Sequence, residues 1–328
     1  MSDTEGQGLD RPVDTSRQID FMDASITSLT LRRLGRPLLA LARLLTRNNA
    51  CQWLLGASSK SGLLPWPILG RLRVVGTHTI TSPSGHPITY VASADDALAP
   101  SLIWKRGWES TTLRVFSHLC KESSRIIDVG AYSGIYSLVA ALENPELEVV
   151  AVEPNPEGYA LLKRNVAANG LGSRIQSVQA AAASHGGSGT LYVNHDPTQS
   201  SMRPDPRATP HVGAVQVALV TLDELSCGNS VGVIKIDVEG VEFEVLEGGK
   251  VLIESDRPSL IVELLGEAEF EVVSAFLREF RYGSPLHLGP EGPQPSEEWK
   301  QCKNHWNYLF VHPDSPHSTI GFSVSPPV

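Results

Sequence analysis

Cysteine is scarce in this chain. Cys51, Cys120, Cys227 and Cys302 stand singly, with no CxxC pair and no zinc-like spacing to histidine, which excludes a disulfide framework or a zinc finger and fits reduced thiols in a cytoplasmic protein. Long apolar runs are missing too, since no stretch approaches the roughly 20 residues that cross a bilayer. The first thirty residues carry Asp3, Glu5, Asp10, Asp14 and Asp20 where a secretory leader would carry positive charge ahead of an apolar run. Positive charge is in deficit overall: 27 Lys and Arg against 36 Asp and Glu leave a formal net charge of −9. That balance argues against nucleic acid as the partner. What is present, 41% hydrophobic residues over 328 positions, suffices for one large α/β domain with additions.

Residues 1–20 are rich in Gly, Asp, Ser and Thr, lack periodicity and read as disordered. Residues 21–108 read as an N-terminal extension. Within it, leucines over 29–55 interleave with Arg32, Arg33, Arg36, Arg43 and Arg47, the pattern of basic amphipathic helices. Such helices pack on their own domain or a partner, or make peripheral contact with an anionic membrane. Residues 71–92 alternate in the strand manner about Ser82-Pro83-Ser84-Gly85, a β-hairpin.

From Arg125 onward, strands and helices alternate. Strands are expected at 125–130, 148–153, 175–180, 215–220, 232–237, 259–264 and 306–312, with a hairpin-like excursion through 190–193. Helices are expected over 109–121, 135–143, 157–169, 241–247 and 267–280. Apolar, β-branched strands alternating with helices predict a mostly parallel sheet covered on both faces.

In such a sheet, ligands sit beyond the carboxyl ends of the strands. Four predicted strands end in an acid, at Asp128, Glu153, Asp237 and Glu263, so the acids converge on one crevice. The loop after the first strand, D-V-G-A-Y-S-G, holds Gly130 and Gly134 before a helix N-terminus. It lacks the dinucleotide spacing G-x-G-x-x-G and any Gly-Lys-Ser/Thr. A ligand with a carboxylate but no pyrophosphate therefore fits better than a nicotinamide cofactor. Glu153 follows Gly130 by 23 residues, where a carboxylate accepts from both hydroxyls of a ribose; a plain acid at a helix N-terminus needs no ligand.

These blocks, with V-T-L-D-E-L, I-K-I-D-V-E-G-V-E-F-E-V-L-E-G and P-S-L-I-V-E-L, resemble the FkbM family of S-adenosylmethionine-dependent methyltransferases over about two-thirds of the chain. The resemblance implies a Rossmann-like class I methyltransferase fold, a mostly parallel sheet flanked by helices, occupying 109–315 behind the helical and hairpin extension, with 316–328 as a tail. It implies S-adenosyl-L-methionine as cofactor. Asp128, Gly130, Tyr132 and Gly134 would line its methionine part, Glu153 its ribose, and Asn155, Ala181 and Ala182 the edge of its adenine. Glu109 would reach the amino-acid end. Tyr132-Ser133 departs from the family, whose members more often carry Asn-Ile there; the change alters the loop's surface.

Lys235 and Asp237 lie two apart, and a lysine buried in V-I-K-I-D needs a carboxylate, Asp237 or Glu263. An alcohol acceptor must lose a proton during methyl transfer, so a base is wanted: Asp237 first, Glu263 second, His305 third. Asp237, Glu239 and Glu263 also offer oxygen ligands of the kind magnesium prefers, although acids in D-V-E-G serve equally as helix N-terminal residues. O-methylation of a hydroxyl on a sugar, glycolipid or other secondary metabolite is the expectation. N-methylation of an amine or peptide, or a non-catalytic cofactor-fold binding module, are the alternatives. The acceptor is expected to be a small-molecule, sugar or lipid-linked compound, walled by residues 195–211, the loop after Glu263 and the extension. Oligomeric state is open.

Overall fold

The computed structural model describes residues 73–104, 108–204, 211–300, 302 and 305–319. The disorder expected over 1–20 and the basic helices expected over 29–55 lie outside the described residues. Among the described residues no helix is long and apolar enough to cross a membrane.

The hairpin forms as β1 (Gly76–Thr81) and β2 (Pro87–Ala92), in antiparallel register from Gly76 opposite Ala92 to Thr81 opposite Pro87. Ile88 and Tyr90 on β2 are fully buried. Two short helices follow, α1 (Ala99–Trp104) and α2 (Ser110–Lys121). Then come β3 (Arg125–Val129), α3 (Ile135–Glu143), β4 (Glu148–Val152), α4 (Pro156–Ala168) and β5 (Ile175–Val178). Asn155 caps α4 by accepting from the Glu157 N–H, and Pro156 stands at the first helical position, where its missing N–H costs nothing.

The chain next builds β6 (Ala181–Ala182), β7 (Gly187–Val193) and β8 (Gly213–Val220), then α5 (Leu222–Ser226). A capping box between Thr221 and Glu224 starts α5. β9 (Val233–Ile236), α6 (Glu242–Glu247), α7 (Lys250–Asp256), β10 (Ser259–Glu263) and α8 (Glu267–Glu279) complete the alternation. A hairpin, β11 (Leu286–Gly289) and β12 (Gly292–Pro295), precedes the last strand, β13 (Asn307–Phe310).

The main sheet has the order β12-β11-β13-β10-β9-β3-β4-β5. Its five strands from β10 to β5 are parallel, and the remaining three join antiparallel. The four parallel strands β3, β4, β9 and β10 are mostly apolar and buried on both faces, as a doubly covered sheet requires, and the edge strand β5 is only partly so. Ile126, Val149, Val233 and Ile261 pack with α2, α3 and α4 on one side. Ile127, Val150, Ile234 and Leu260 pack with α5 to α8 on the other. Strands β3, β4 and β5 advance in one direction and β9, β10 in the other, so the order reverses between β3 and β9. Loops diverge there and leave a crevice.

Three expectations are corrected. The strand expected over 175–180 is two strands: β5 stays in the main sheet, and β6 leaves it to pair with β8. The strand expected over 215–220 is β8 of a separate three-stranded sheet, β6-β8-β7, whose one-sided burial explains why Val215, Val217 and Leu219 alternate with small or polar residues. Asp128 does not end its strand, which runs on through Val129. The chain also stays packed beyond 315: His317 is buried, with Nδ1 2.8 Å from Ser259 Oγ.

Candidate active site

A cavity of about 210 Å³ opens at the strand-order reversal, with Gly130, Glu153, Asp237 and Glu263 on its wall. Each of these follows or ends a parallel strand. At its inner end, Glu153 is buried, and both its oxygens face backbone donors. The Tyr132 N–H gives to Oε2 at 2.8 Å and the Asn155 N–H to Oε1 at 2.7 Å. Burial pushes its carboxyl up to about 7, with those two N–H groups opposing. A buried carboxylate held this way retains lone pairs for a diol.

Of the two glycines, Gly130 lines the cavity and Gly134 does not. Gly130 has φ 78, and a Cβ there would stand 1.7 Å from the carbonyl oxygen of Asp237. The missing side chain thus lets the loops after β3 and β9 touch. Gly134 has φ 82, and its Cβ would meet Leu162 at 2.5 Å, so it seats α3 against α4 and does not line the cavity. Asp128 is turned the same way. Its Oδ2 accepts from Ser137 N at 3.0 Å and Ser137 Oγ at 2.6 Å, which ties β3 to α3 behind the cavity.

A second group of ionisable side chains lies at the other end. Lys235, only 2% exposed, donates to Asp237 Oδ2 at 2.8 Å, and its ammonium sits 4.5 Å from the centre of the Tyr136 ring. The Tyr136 hydroxyl donates in turn to Glu109. Burial alone would lower the lysine, yet Asp237, Glu109, Asp128 and Glu263 together hold it above its ordinary value. Burial also opposes ionisation of Asp237, but the Lys235 charge and a hydrogen bond from Glu263 outweigh it and keep that carboxyl low. Glu263 is the mirror case: burial and the Asp237 charge push its carboxyl well up. Glu239, on the rim, is pushed up to about 8 by burial and by Asp237.

Backbone conformation marks the same place. Six described residues other than glycine have positive φ. Cys227, Arg257 and Arg281 lie at the ends of α5, α7 and α8, where such conformations are ordinary. Glu109 (φ 41), Tyr132 (φ 45) and Glu239 (φ 59) all line the cavity. Left-handed backbone costs such a residue roughly 1–3 kcal/mol and collects at binding and catalytic sites.

The cavity brings together Glu109, Gly130, Tyr132, Glu153, Ala181, Ala182, Lys235, Asp237, Glu239 and Glu263. Asp128, Gly134, Asn155 and His305 are not among the described residues that line it. Asn155 is occupied as the α4 cap and donates to Ser200 Oγ at 3.2 Å. His305 precedes β13, and its backbone carbonyl accepts from His287 Nε2 at 2.8 Å. Carboxylate oxygens of Asp237, Glu239 and Glu263 lie within 4.8 Å of one another. Lys235 already compensates Asp237, so this trio carries less negative charge than a divalent cation site of three unpaired acids.

Sequence reasoning missed Glu242. It is fully buried at the start of α6, and its carboxyl accepts from the Gly240 N–H at 3.1 Å and the Val238 N–H at 3.3 Å. That grip fixes the turn presenting Glu239. Its signal was present only as one acid among four in D-V-E-G-V-E-F-E, where helix N-terminal acids are expected anyway.

A doubly wound sheet with an antiparallel strand beside β10, and a buried acid and a lysine-bound aspartate at its order reversal, makes a Rossmann-like fold of the class I methyltransferase kind. Residues 128–284 match the family model of the methyltransferase FkbM domain. The methyltransferase SdnD of Sordaria araneosa is 28% identical over 153 residues, 38% of this chain and 59% of that protein. The chain thus matches about three-fifths of the length of that curated relative. Among solved structures, methyltransferase FkbM from Methylobacillus flagellatus KT is 16% identical, covers 58% of this chain and 44% of its own, and has a TM-score of 0.40. An S-adenosylmethionine-dependent O-methyltransferase from Thermotoga maritima is 14% identical, covers 72% and 77%, and has a TM-score of 0.37.

Proposed function

We propose that the protein is an S-adenosylmethionine-dependent methyltransferase acting on a hydroxyl of a sugar, glycolipid or other small-molecule acceptor. The observation carrying this reading is that Glu153 and the Lys235-bound Asp237 face one cavity from opposite sides of the strand-order reversal. S-adenosylmethionine supplies a methyl group made electrophilic by its sulfonium. Glu153 would accept from the ribose hydroxyls, the turn at Gly130 to Tyr132 would hold the methionine part, and Ala181 and Ala182 would leave room for the adenine.

Methyl transfer is an in-line displacement, so most of the rate advantage comes from alignment. The chain supplies that alignment through Asp237, whose carboxylate accepts the acceptor hydroxyl's proton. Because Lys235 keeps Asp237 ionised, it is a weak base in isolation. A weak base suffices here, since the hydroxyl becomes strongly acidic as its oxygen bonds to carbon. Lys235 and Tyr136 position Asp237.

A second reading is N-methylation. A neutral amine in the same cavity attacks through its own lone pair and needs no base during the transfer step. Mass spectrometry of candidate acceptors incubated with the protein and methyl-labelled S-adenosylmethionine tests the proposal. The Asp237→Asn variant separates the readings: loss of about 10²–10⁴ in rate fits a hydroxyl that needs a base, and near-full activity fits an amine.

A further inference from the structure

Two asparagines one turn apart, Asn165 within α4 and Asn169 at its C-terminal end, meet the edge of β2 that faces away from β1. Asn169 closes on a single residue: its Oδ1 accepts from the Thr89 N–H at 2.9 Å, and its Nδ2 donates to the Thr89 carbonyl at 2.8 Å. Asn165 Oδ1 accepts from the Val91 N–H at 2.7 Å. Four residues of helix rise about 6 Å and two residues of strand about 6.7 Å, so this spacing lets the pair reach alternate residues of one strand edge.

Covering that edge accounts for Asn169 and for only half of Asn165. Asn165 Nδ2 does not return to the strand; it donates to the Ser133 carbonyl at 2.9 Å. Asn165 is fully buried, where an amide left without partners is costly. Ser133 stands between two residues of left-handed backbone, Tyr132 at φ 45 and Gly134 at φ 82, and such a turn persists only where its surroundings over-determine it. Inside the turn, the Gly134 N–H bonds the Ala131 carbonyl at 2.7 Å. From outside, Asn165 holds the Ser133 carbonyl, and the Ala97 N–H, just before α1, donates to the Tyr132 hydroxyl at 3.3 Å. The turn so held aims the Tyr132 N–H at Glu153 Oε2, 2.8 Å away. Helix α4 runs close beside both, since a Cβ on Gly158 would stand 3.1 Å from the Glu153 carboxyl and 3.1 Å from the Tyr132 ring.

We propose that Asn165 is a positioning residue of the cofactor site, tying the β1–β2 hairpin to the turn after β3 and thereby keeping the Tyr132 N–H on Glu153. The assignment rests on the methyltransferase reading, and it adds that the hairpin, which lies outside the matched residues 128–284, is a working part of the cofactor site. Without Asn165 the turn relaxes and Glu153 keeps only the Asn155 N–H. A buried carboxylate that loses a donor is harder to ionise. Asp128 from β3 and Asp237 after β9 also face Glu153 and push it the same way, while Asp96 and Asp196 act on the Tyr132 hydroxyl. All four stay in place in the variants below.

Calorimetric titration of S-adenosylhomocysteine into the full chain between pH 5 and pH 9, beside Asn165→Leu and Asn169→Leu, separates positioning from docking. The wild type is expected to gain affinity with a midpoint at about 7, where the Glu153 carboxyl titrates. Asn165→Leu is expected to raise that midpoint by about one pH unit, the effect of one hydrogen bond to a charged group. The smaller ionised fraction weakens binding at pH 7 about fivefold. Asn169→Leu removes two bonds to the hairpin and none to the turn, so it is expected to melt earlier and keep the wild-type midpoint. Asn165→Asp retains an acceptor for the Val91 N–H but offers Ser133 no amide donor, and is expected to shift the midpoint as Asn165→Leu does. In the wild type, the Asn165 side-chain amide signals are expected to move in NMR spectra when S-adenosylhomocysteine is added and those of Asn169 to stay, a result that needs no variant to fold. An unmoved midpoint in folded Asn165→Leu or Asn165→Asp, an equal shift in Asn169→Leu, or silent Asn165 signals would overturn the proposal. Any of these with normal wild-type binding sinks the positioning role alone, whereas no heat of binding in the wild type at any pH sinks the methyltransferase reading with it.

Discussion

Replacing Lys235 by methionine removes the one cation that faces the Asp237, Glu263 and Glu109 cluster among the described residues, while keeping a side chain of similar length. The Nζ to Oδ2 separation of 2.8 Å corresponds to a gross attraction of about 6 kcal/mol at an effective dielectric constant of about 20. Desolvation of both ions offsets part of it, and breaking a buried pair typically costs roughly 3–5 kcal/mol because the survivor is left uncompensated. Asp237 keeps 28% of its side chain exposed, which places the expectation at the lower end, about 3 kcal/mol. For a domain of this size that lowers Tm by about 6–12 °C. The cost should depend on pH with a definite sign. In the wild type Asp237 titrates below its unfolded value, so its contribution is present above the unfolded pKa and disappears as pH falls through the folded one. In Lys235→Met the carboxyl is no longer held down and can be neutralised by a proton, so the gap between the proteins narrows from pH 8 to pH 5. Urea unfolding at both pH values, with the double variant Lys235→Met/Asp237→Asn, makes the comparison. A pH-independent gap, or a double variant as unstable as the sum of the two singles, would refute the reasoning.

Three further outcomes are expected. Glu242→Gln should leave stability within about 1 kcal/mol, because an amide reproduces the protonated carboxyl this burial favours; Glu242→Leu should lose about 1–3 kcal/mol for each orphaned N–H, of Val238 and Gly240, by urea unfolding. Gly130→Ala forces a Cβ into the Asp237 carbonyl and should abolish folding or cooperative melting, whereas Gly170→Ala, at φ 67 with open space around it, should cost only about 1–2 kcal/mol in the same scans. If only ionised Glu153 accepts the ribose hydroxyls, a carboxyl at about 7 predicts S-adenosylhomocysteine affinity about tenfold weaker at pH 6 than at pH 8, in proportion to the competent fraction; affinity flat across that range in calorimetry would remove the role given to Glu153.

The parallel core was legible because burial on both faces writes itself as unbroken Val and Ile, and because Gly170, Asn155 and Pro156 punctuate its helices in standard ways. Much of the cavity was legible for a related reason: residues placed at strand ends in a doubly wound sheet have only one direction to face. Distinguishing a strand-end residue that meets the cavity from one that braces it was not legible. Asp128 and Glu153 both follow the same apolar pattern, yet Asp128 lies one residue inside its strand and turns to Ser137. The β11 and β12 hairpin was hidden by Pro285, Pro290, Pro293 and Pro295. Prolines survive in β12 because it is the sheet's edge and need not donate on its outer side. The side sheet was misplaced because period-two alternation tells that a strand has one buried face and not which sheet it joins.

Calorimetric titration of S-adenosylhomocysteine into the full chain at pH 8, beside Glu153→Gln, tests the central claim most directly. Saturable binding by the wild type, weakened at least tenfold in Glu153→Gln with folding intact, is the predicted result. No heat of binding in the wild type, or equal affinity in both proteins, would contradict it.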